Sequence, residues 1–242
     1  VVMIPRMAST FASGDKKKIN EYMRISFKFV FFLAFPIMFG IISISEAFVP
    51  LFFGKGYDKV IVLINIISPI IILMGVANVV GTQFLLPTKR QKEYTISVTI
   101  GVIVNFFLNY ILITNFESIG ASIATVLSQL VVDIIQFWYI RKDFDVKQLF
   151  KLSWKYLVSG LVMFALCMGA KVILDINWIS EIINNISMNF DTHKEQFINI
   201  VTISIQVIVG IITYFVMLII LKDDYVFKFL DKIKNQILKR KS

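Results

Sequence analysis

The sequence predicts an all-α polytopic membrane protein with six transmembrane helices, and three observations predict it. Six apolar stretches run over 29–50, 60–86, 94–114, 119–140, 154–174 and 197–221, each near the roughly 20 apolar residues that carry a helix across about 30 Å of hydrocarbon. Soluble helices of that length would show a polar stripe, and these do not. Hydrophobic residues make up 57% of the chain and the mean hydropathy is +0.77, above the globular level of about 45–50% apolar, so the surplus faces lipid. The third observation is a charge alternation. Of 25 Lys and Arg, 20 fall in the end segments and every second loop, whereas the opposite loops hold only Lys55, Lys59, Lys171 and Lys194, and Lys28 stands at the edge of the first span. By the positive-inside rule both ends of the chain are cytoplasmic.

The loops agree with these boundaries in order. The opening Val1-Val2-Met3-Ile4-Pro5-Arg6 reads as the cytoplasmic end of a preceding span, and the whole chain as the C-terminal portion of a longer protein. Gly14-Asp15 then precedes a basic surface helix leading into the first span, so that 1–23 is cytoplasmic. Pro50-Leu51-Phe52-Phe53-Gly54-Lys55-Gly56-Tyr57 sets aromatics beside glycines, an interfacial turn on the outer side. Pro87-Thr88-Lys89-Arg90 turns the chain at the cytoplasmic face, and Asn115-Phe116-Glu117-Ser118 makes a tight outer hairpin, so the second to fourth spans are antiparallel neighbours. Residues 24–142 thus form a four-helix transmembrane part.

Beyond it, 143–153 is a cytoplasmic amphipathic linker with Phe144, Val146, Leu149, Phe150 and Leu152 at helical spacing. Two further helices occupy 154–221 around an outer loop at 175–196, which holds the formal sequon Asn185-Ile186-Ser187 and the lone His193, facing outward. The basic tail 222–242 sets Phe227, Leu230, Ile233 and Ile237 opposite its lysines and rests on the inner leaflet.

Composition excludes several function classes. The net charge of +9 is carried at membrane edges, where it retains topology and meets anionic lipid, so no nucleic-acid partner is expected. The single cysteine, Cys167, lies within a span and permits neither an internal disulfide nor a CxxC motif. His193 has no neighbouring ligand, so no metal and no cofactor are expected. Asp143-Phe144-Asp145 imitates a metal and nucleotide-sugar motif but lies on the cytoplasmic side and reads as a solvated helix start; no enzyme activity is expected.

Polar groups inside hydrocarbon are expensive unless buried between helices or facing water, so they point to a pathway. The second span carries Asn65, Ser68, Asn78, Thr82 and Gln83, the third Asn105 and Asn109, the fourth Ser122, Thr125, Ser128, Gln129, Asp133 and Gln136. Asn105 and Asn109 share a face, as do the polar residues of the fourth span. Two readings stay open. These side chains either join helices to one another, or Asn78, Asn105, Asn109, Ser122, Thr125, Gln129 and Asp133 line an aqueous path. Asp133, a carboxylate well inside a span, is the ion-coupling candidate; the competing reading pairs it with a cytoplasmic Lys or Arg. Pro36 and Pro69 lie mid-span as helix-kink candidates. Gly75, Gly81, Gly101, Gly120 and Gly160 permit close helix approach.

Several motifs carry a family resemblance. They are Ile4-Pro5-Arg6-Met7-Ala8-Ser9, Phe35-Pro36-Ile37-Met38-Phe39-Gly40, Gly81-Thr82-Gln83-Phe84-Leu85-Leu86-Pro87, Asn105-Phe106-Phe107-Leu108-Asn109 and Ile119-Gly120-Ala121-Ser122-Ile123-Ala124-Thr125. In order and spacing, over about 1–142, the chain resembles the C-terminal half of bacterial polysaccharide repeat-unit flippases, a branch of the multidrug/oligosaccharidyl-lipid/polysaccharide exporter superfamily. The resemblance implies the C-terminal lobe of a two-lobe transporter around a cavity that opens alternately to either face. The implied cargo is an undecaprenyl-diphosphate-linked oligosaccharide, with membrane lipids, a polysaccharide polymerase and glycosyltransferases as partners and the bacterial cytoplasmic membrane as location. A cation-coupled multidrug or small-solute exporter of the same superfamily is the alternative. No Lys or Arg lies deep in a span to meet a diphosphate.

Overall fold

The computed structural model describes residues 3–145, 147–175 and 194–227, which are helical apart from short turns. The outer loop with His193 and the sequon, and the tail beyond 227, lie outside the described residues. Two compact units form: Val1–Met38 with Lys59–Trp154, and Phe39–Asp58 with Lys155–Ser242.

In the first unit, α1 (Met3–Ala12) stops at Gly14, whose φ of +72° a side chain rarely adopts. Asp15 then accepts the Lys18 N–H at 3.1 Å, satisfying one of the free donors at the start of α2 (Lys16–Phe53). That bond holds the Asp15 carboxyl below its ordinary 3.8. The basic surface segment and the first span are one continuous helix, which runs through Pro36. Farther along α2, in the stretch that belongs to the second unit, Phe48 stacks on Phe52 at 5.5 Å, and Gly54 and Gly56, at φ +86° and +91°, reverse the chain.

The second span is composite. α3 (Asp58–Ile67) ends before Ser68-Pro69, α4 (Ile70–Ala77) restarts after it, and Asn78–Leu85 continues as π-helix. Pro69 has no N–H to continue the ladder, which accounts for the interruption.

α5 (Gln91–Ile140) is 50 residues long but broken at Glu117, where φ is 52° and ψ −128°. Its two arms fold back antiparallel on each other. Asn105 Nδ2 donates to Ser128 Oγ at 3.0 Å and Gln136 Nε2 to Ser97 Oγ at 3.3 Å, while a Cβ on Gly101 would meet Val132 at 2.2 Å. Five described helical stretches are long and apolar enough to cross a membrane. Because one of them folds into two arms, each still above about 20 residues, the crossings number six, as the hydropathy predicts. The core of the unit holds Met7, Met23, Phe27, Val79, Val80, Leu85 and Ile140, and Phe27 packs against Phe31, Phe137 and Phe144 at 6.0, 6.4 and 5.6 Å.

In the second unit α6 (Lys147–Asp175) antiparallels α7 (Lys194–Ile220). The amphipathic segment expected as a separate linker enters α6 at Lys147 and continues into the span without a break. Gln206 Nε2 donates to the carbonyls of Ser43 at 3.0 Å and Cys167 at 3.4 Å, and Cys167 Sγ donates to Gln206 O at 3.3 Å. One carboxamide thereby joins α2, α6 and α7. At the far end of the α6–α7 pair, Asp223 accepts from Tyr156 Oη at 3.3 Å and from the N–H groups of Tyr225 and Val226, and Lys171 pairs with Glu46.

The break at Glu117 makes a prediction. A non-glycine residue at this φ and ψ is strained, and the Lys59 ammonium that pairs with Glu117 is exposed, so it offsets the strain weakly. Glu117→Gly is therefore expected to match or exceed the parent in thermal midpoint of the detergent-purified protein, and Glu117→Val to fall a few degrees below it. Lys59 holds the Glu117 carboxyl below its ordinary 4.5. The pair's contribution is thus present above that value and is lost as pH falls through the lowered one.

Candidate functional site

The polar candidates gather on the α5 hairpin and on the π-helical segment packed against it. Gly81 of that segment lets the two meet: a Cβ there would strike the Tyr94 ring at 2.7 Å and Gln136 Nε2 at 3.0 Å. π-Helical stretches leave the regular i→i−4 ladder and recur at functional sites. Asn78 is exposed and accepts from Gln83 Nε2 at 3.1 Å, while Gln83 Oε1 accepts from Ser26 Oγ of α2 at 2.8 Å. A polar relay thus links α2 to the second span.

On the hairpin the candidates separate into two kinds. Asn105 reaches across to Ser128 and also accepts from Asn109 Nδ2 at 2.9 Å, so it joins the arms. Asn109, half-buried, contributes only to its own helix. Ser122 and Thr125 return their hydroxyl protons to the carbonyls of Ser118 and Ala121, at 3.2 and 2.8 Å, a local bond that releases them from any obligatory partner. Gln129 is half-buried and donates to Asp133 Oδ1 across a long 3.4 Å.

Asp133 is 3% exposed and its Oδ2 has no partner. Among the described residues no Lys or Arg pairs with it. An ionised carboxylate left so in hydrocarbon costs several kcal/mol. Arg90 is engaged elsewhere: it donates to Asp143 Oδ2 at 2.7 Å, to the Tyr139 carbonyl at 2.9 Å and to Glu93 Oε1 at 3.1 Å, and lies over the Phe84 ring at 6.0 Å. It fastens the turn after the second span to both arms of α5. Asp143 is consequently an ion-pair partner, and Asp145 accepts the Lys147 N–H at 3.0 Å as α6 begins.

Sequence reading missed Arg90, which it counted only as a topology charge, and Gln206, an isolated amide in an apolar span that carries the same signal as Asn105. It listed Gln136 among polar residues but not among the site candidates. Gln136 is 1% exposed and keeps an unpartnered Oε1.

Comparison with known proteins adds a family. A family model described as "Lipid II flippase MurJ" matches residues 1–191. The chain is 26% identical over 177 residues to the "Probable low-salt glycan biosynthesis flippase Agl15" of Haloferax volcanii, covering 72% of this chain and 37% of that protein. It is 28% identical over 168 residues to the "Lipid II flippase MurJ" of Bacillus subtilis, covering 67% of this chain and 31% of the relative. A solved structure, "Lipid II flippase MurJ, inward closed conformation", superposes with a TM-score of 0.64 over 93% of this chain and 43% of that one, at 19% identity, and shares the fold. The chain thus spans about a third of the curated relatives it matches.

Proposed function

Because the chain belongs to the MurJ lipid II flippase family, whose members are membrane transporters and not enzymes, we propose that its protein carries an undecaprenyl-diphosphate-linked oligosaccharide repeat unit across the cytoplasmic membrane by alternating access. The observation that carries this reading is the half-buried polar face of the α5 hairpin in an otherwise apolar bundle. A lipid-linked glycan needs a polar wall for its head group, and its tail needs the apolar exterior beside that wall. The names of the relatives support the choice, since they describe glycan and O-antigen flippases or transporters. In this reading glycosyltransferases supply the substrate, a polymerase consumes the product, and Asp133 couples the movement to an ion gradient.

A second reading, lipid II as cargo, is favoured by the matched family model itself. Depleting the protein in its host separates the two. Loss of surface polysaccharide, with repeat-unit lipid accumulating in membrane extracts and cell-wall synthesis intact, is the expected result. Accumulation of lipid II with cell lysis would establish the second reading, and no change in either lipid would overturn both.

Both Val1 and Ser242 face the cytoplasm and position 193 faces outward in this proposal, on the loop-charge asymmetry. His193→Cys in a Cys167→Ser background is expected to react with an impermeant thiol reagent in intact cells. Labelling only after lysis would reverse the orientation.

A further inference from the structure

Two oxygens on adjacent turns of α5 are buried without a partner, Asp133 Oδ2 and Gln136 Oε1. The residues are three apart, so both side chains leave the same helix face, and they are 3% and 1% exposed. Each is already engaged at its other end. Asp133 Oδ1 accepts from Gln129 Nε2, and Gln136 Nε2 donates to Ser97 Oγ.

Among the described residues no counter-charge bonds to the pair. From α2 comes Phe27, whose ring stacks near Phe137 one turn beyond Asp133; from the other arm come Ser97 and Gly101; from the π-helical segment comes Gly81 beneath the Tyr94 ring. The charged groups that these elements carry nearest the contacts in sequence are Arg24 and Lys28 on α2, and Arg90, Lys92 and Glu93 before Ser97. Among the described residues none of them bonds to Asp133, and Arg90 is held by Glu93, Asp143 and the Tyr139 carbonyl. An ionised carboxylate here would be a second acceptor without a donor, one turn from the unpartnered Gln136 oxygen. Adding one proton turns the same pair into donor and acceptor.

We infer that Asp133 and Gln136 form a proton-binding site: in this conformation Asp133 is the neutral acid, and its Oδ2–H is donated to Gln136 Oε1. The site takes a bare proton rather than a metal cation, because two oxygens on one helix face supply far fewer ligands than a dehydrated alkali ion or a Ca²⁺-sized ion requires. Loading adds one proton to Oδ2 and forms one hydrogen bond; release breaks that bond and exposes a charge, which requires the carboxylate to reach water or a donor in the other conformation. The use of this proton in transport rests on the flippase reading; its presence does not.

Infrared difference spectroscopy of the intact protein in lipid, titrated with protons, tests the site without any transport assay. The expected result is a protonated-carboxyl C=O band at neutral pH that disappears in Asp133→Asn and moves to the position of an acid without a hydrogen-bond acceptor in Gln136→Leu, a change that preserves side-chain size. A band unaffected by Asp133→Asn would overturn the proton site, and a band unmoved by Gln136→Leu would overturn the pairing. Matched membrane abundance of the two variants guards against a folding defect, and the Gln136→Leu shift is read on a protein that retains Asp133. The expected band behaviour in a protein that moves no lipid-linked glycan would support the site and overturn the flippase reading alone.

Discussion

Gly120→Leu is expected to lower the amount of protein in the membrane at least tenfold, whereas Gly169→Leu leaves it unchanged. A Cβ at Gly120 would lie 2.1 Å from the Leu112 carbonyl oxygen and 2.4 Å from its carbon. Those are backbone atoms of the opposite arm, three residues before the hairpin loop, so no rotamer change relieves the overlap. The arms must separate there, and separation displaces the Asn105–Ser128 and Ser97–Gln136 bonds that depend on their registry. Overpacking of even well-tolerated cores costs about 1–3 kcal/mol, and a clash against backbone exceeds that range, against a total stability of roughly 5–15 kcal/mol. Gly169, in α6, has nothing within 4 Å of its Cβ position, so the same addition meets open space. The measurement is the membrane-fraction abundance of a tagged protein. Normal abundance of Gly120→Leu would mean that the hairpin does not close as described.

Asn105→Ala and Asn109→Ala, four residues apart on one helix face, are expected to fail in different ways. Asn105 joins the two arms through Ser128, so its loss leaves a buried hydroxyl without its donor and reduces abundance. Interhelical bonds of this kind are worth about 0.6 kcal/mol on average in membranes, so the reduction is expected to be about threefold rather than complete. Asn109 bonds only within its own helix. If it lines the path, as proposed, Asn109→Ala keeps normal abundance and loses about tenfold in export, the rate equivalent of 1.4 kcal/mol. Gln129→Ala and Asp133→Asn share the second pattern. Export and abundance falling in parallel for Asn109→Ala would assign it to packing.

The hairpin shows where sequence reasoning reaches and where it stops. Asn115-Phe116-Glu117-Ser118 was legible as a turn because it interrupts two apolar runs of bilayer length. That Glu117 itself carries the break was not legible, since Asn115 and Ser118 of the same turn are the better turn formers; the choice follows from the registry that brings Gly120 onto Leu112 and Gly101 onto Val132. The spaced polar residues of the fourth span were likewise visible in the sequence. Their division into a clasp (Ser128), locally satisfied hydroxyls (Ser122, Thr125) and two unpartnered oxygens (Asp133, Gln136) was not.

The all-helical class and the turns at 54–57, 87–90 and 115–118 were determined by the sequence alone, because hydrocarbon offers backbone groups no partner and forces each apolar run to satisfy itself locally as helix. Tertiary structure alone decided that Gln206 joins three helices, that Arg90 fastens the turn at 87–90 to both arms of α5, and that among the described residues no base pairs with Asp133. Each of those outcomes depends on which side chain stands opposite on another helix. Spacing along one helix gives the direction in which a polar group points; only the packed partner determines whether it finds a donor there, an acceptor or nothing.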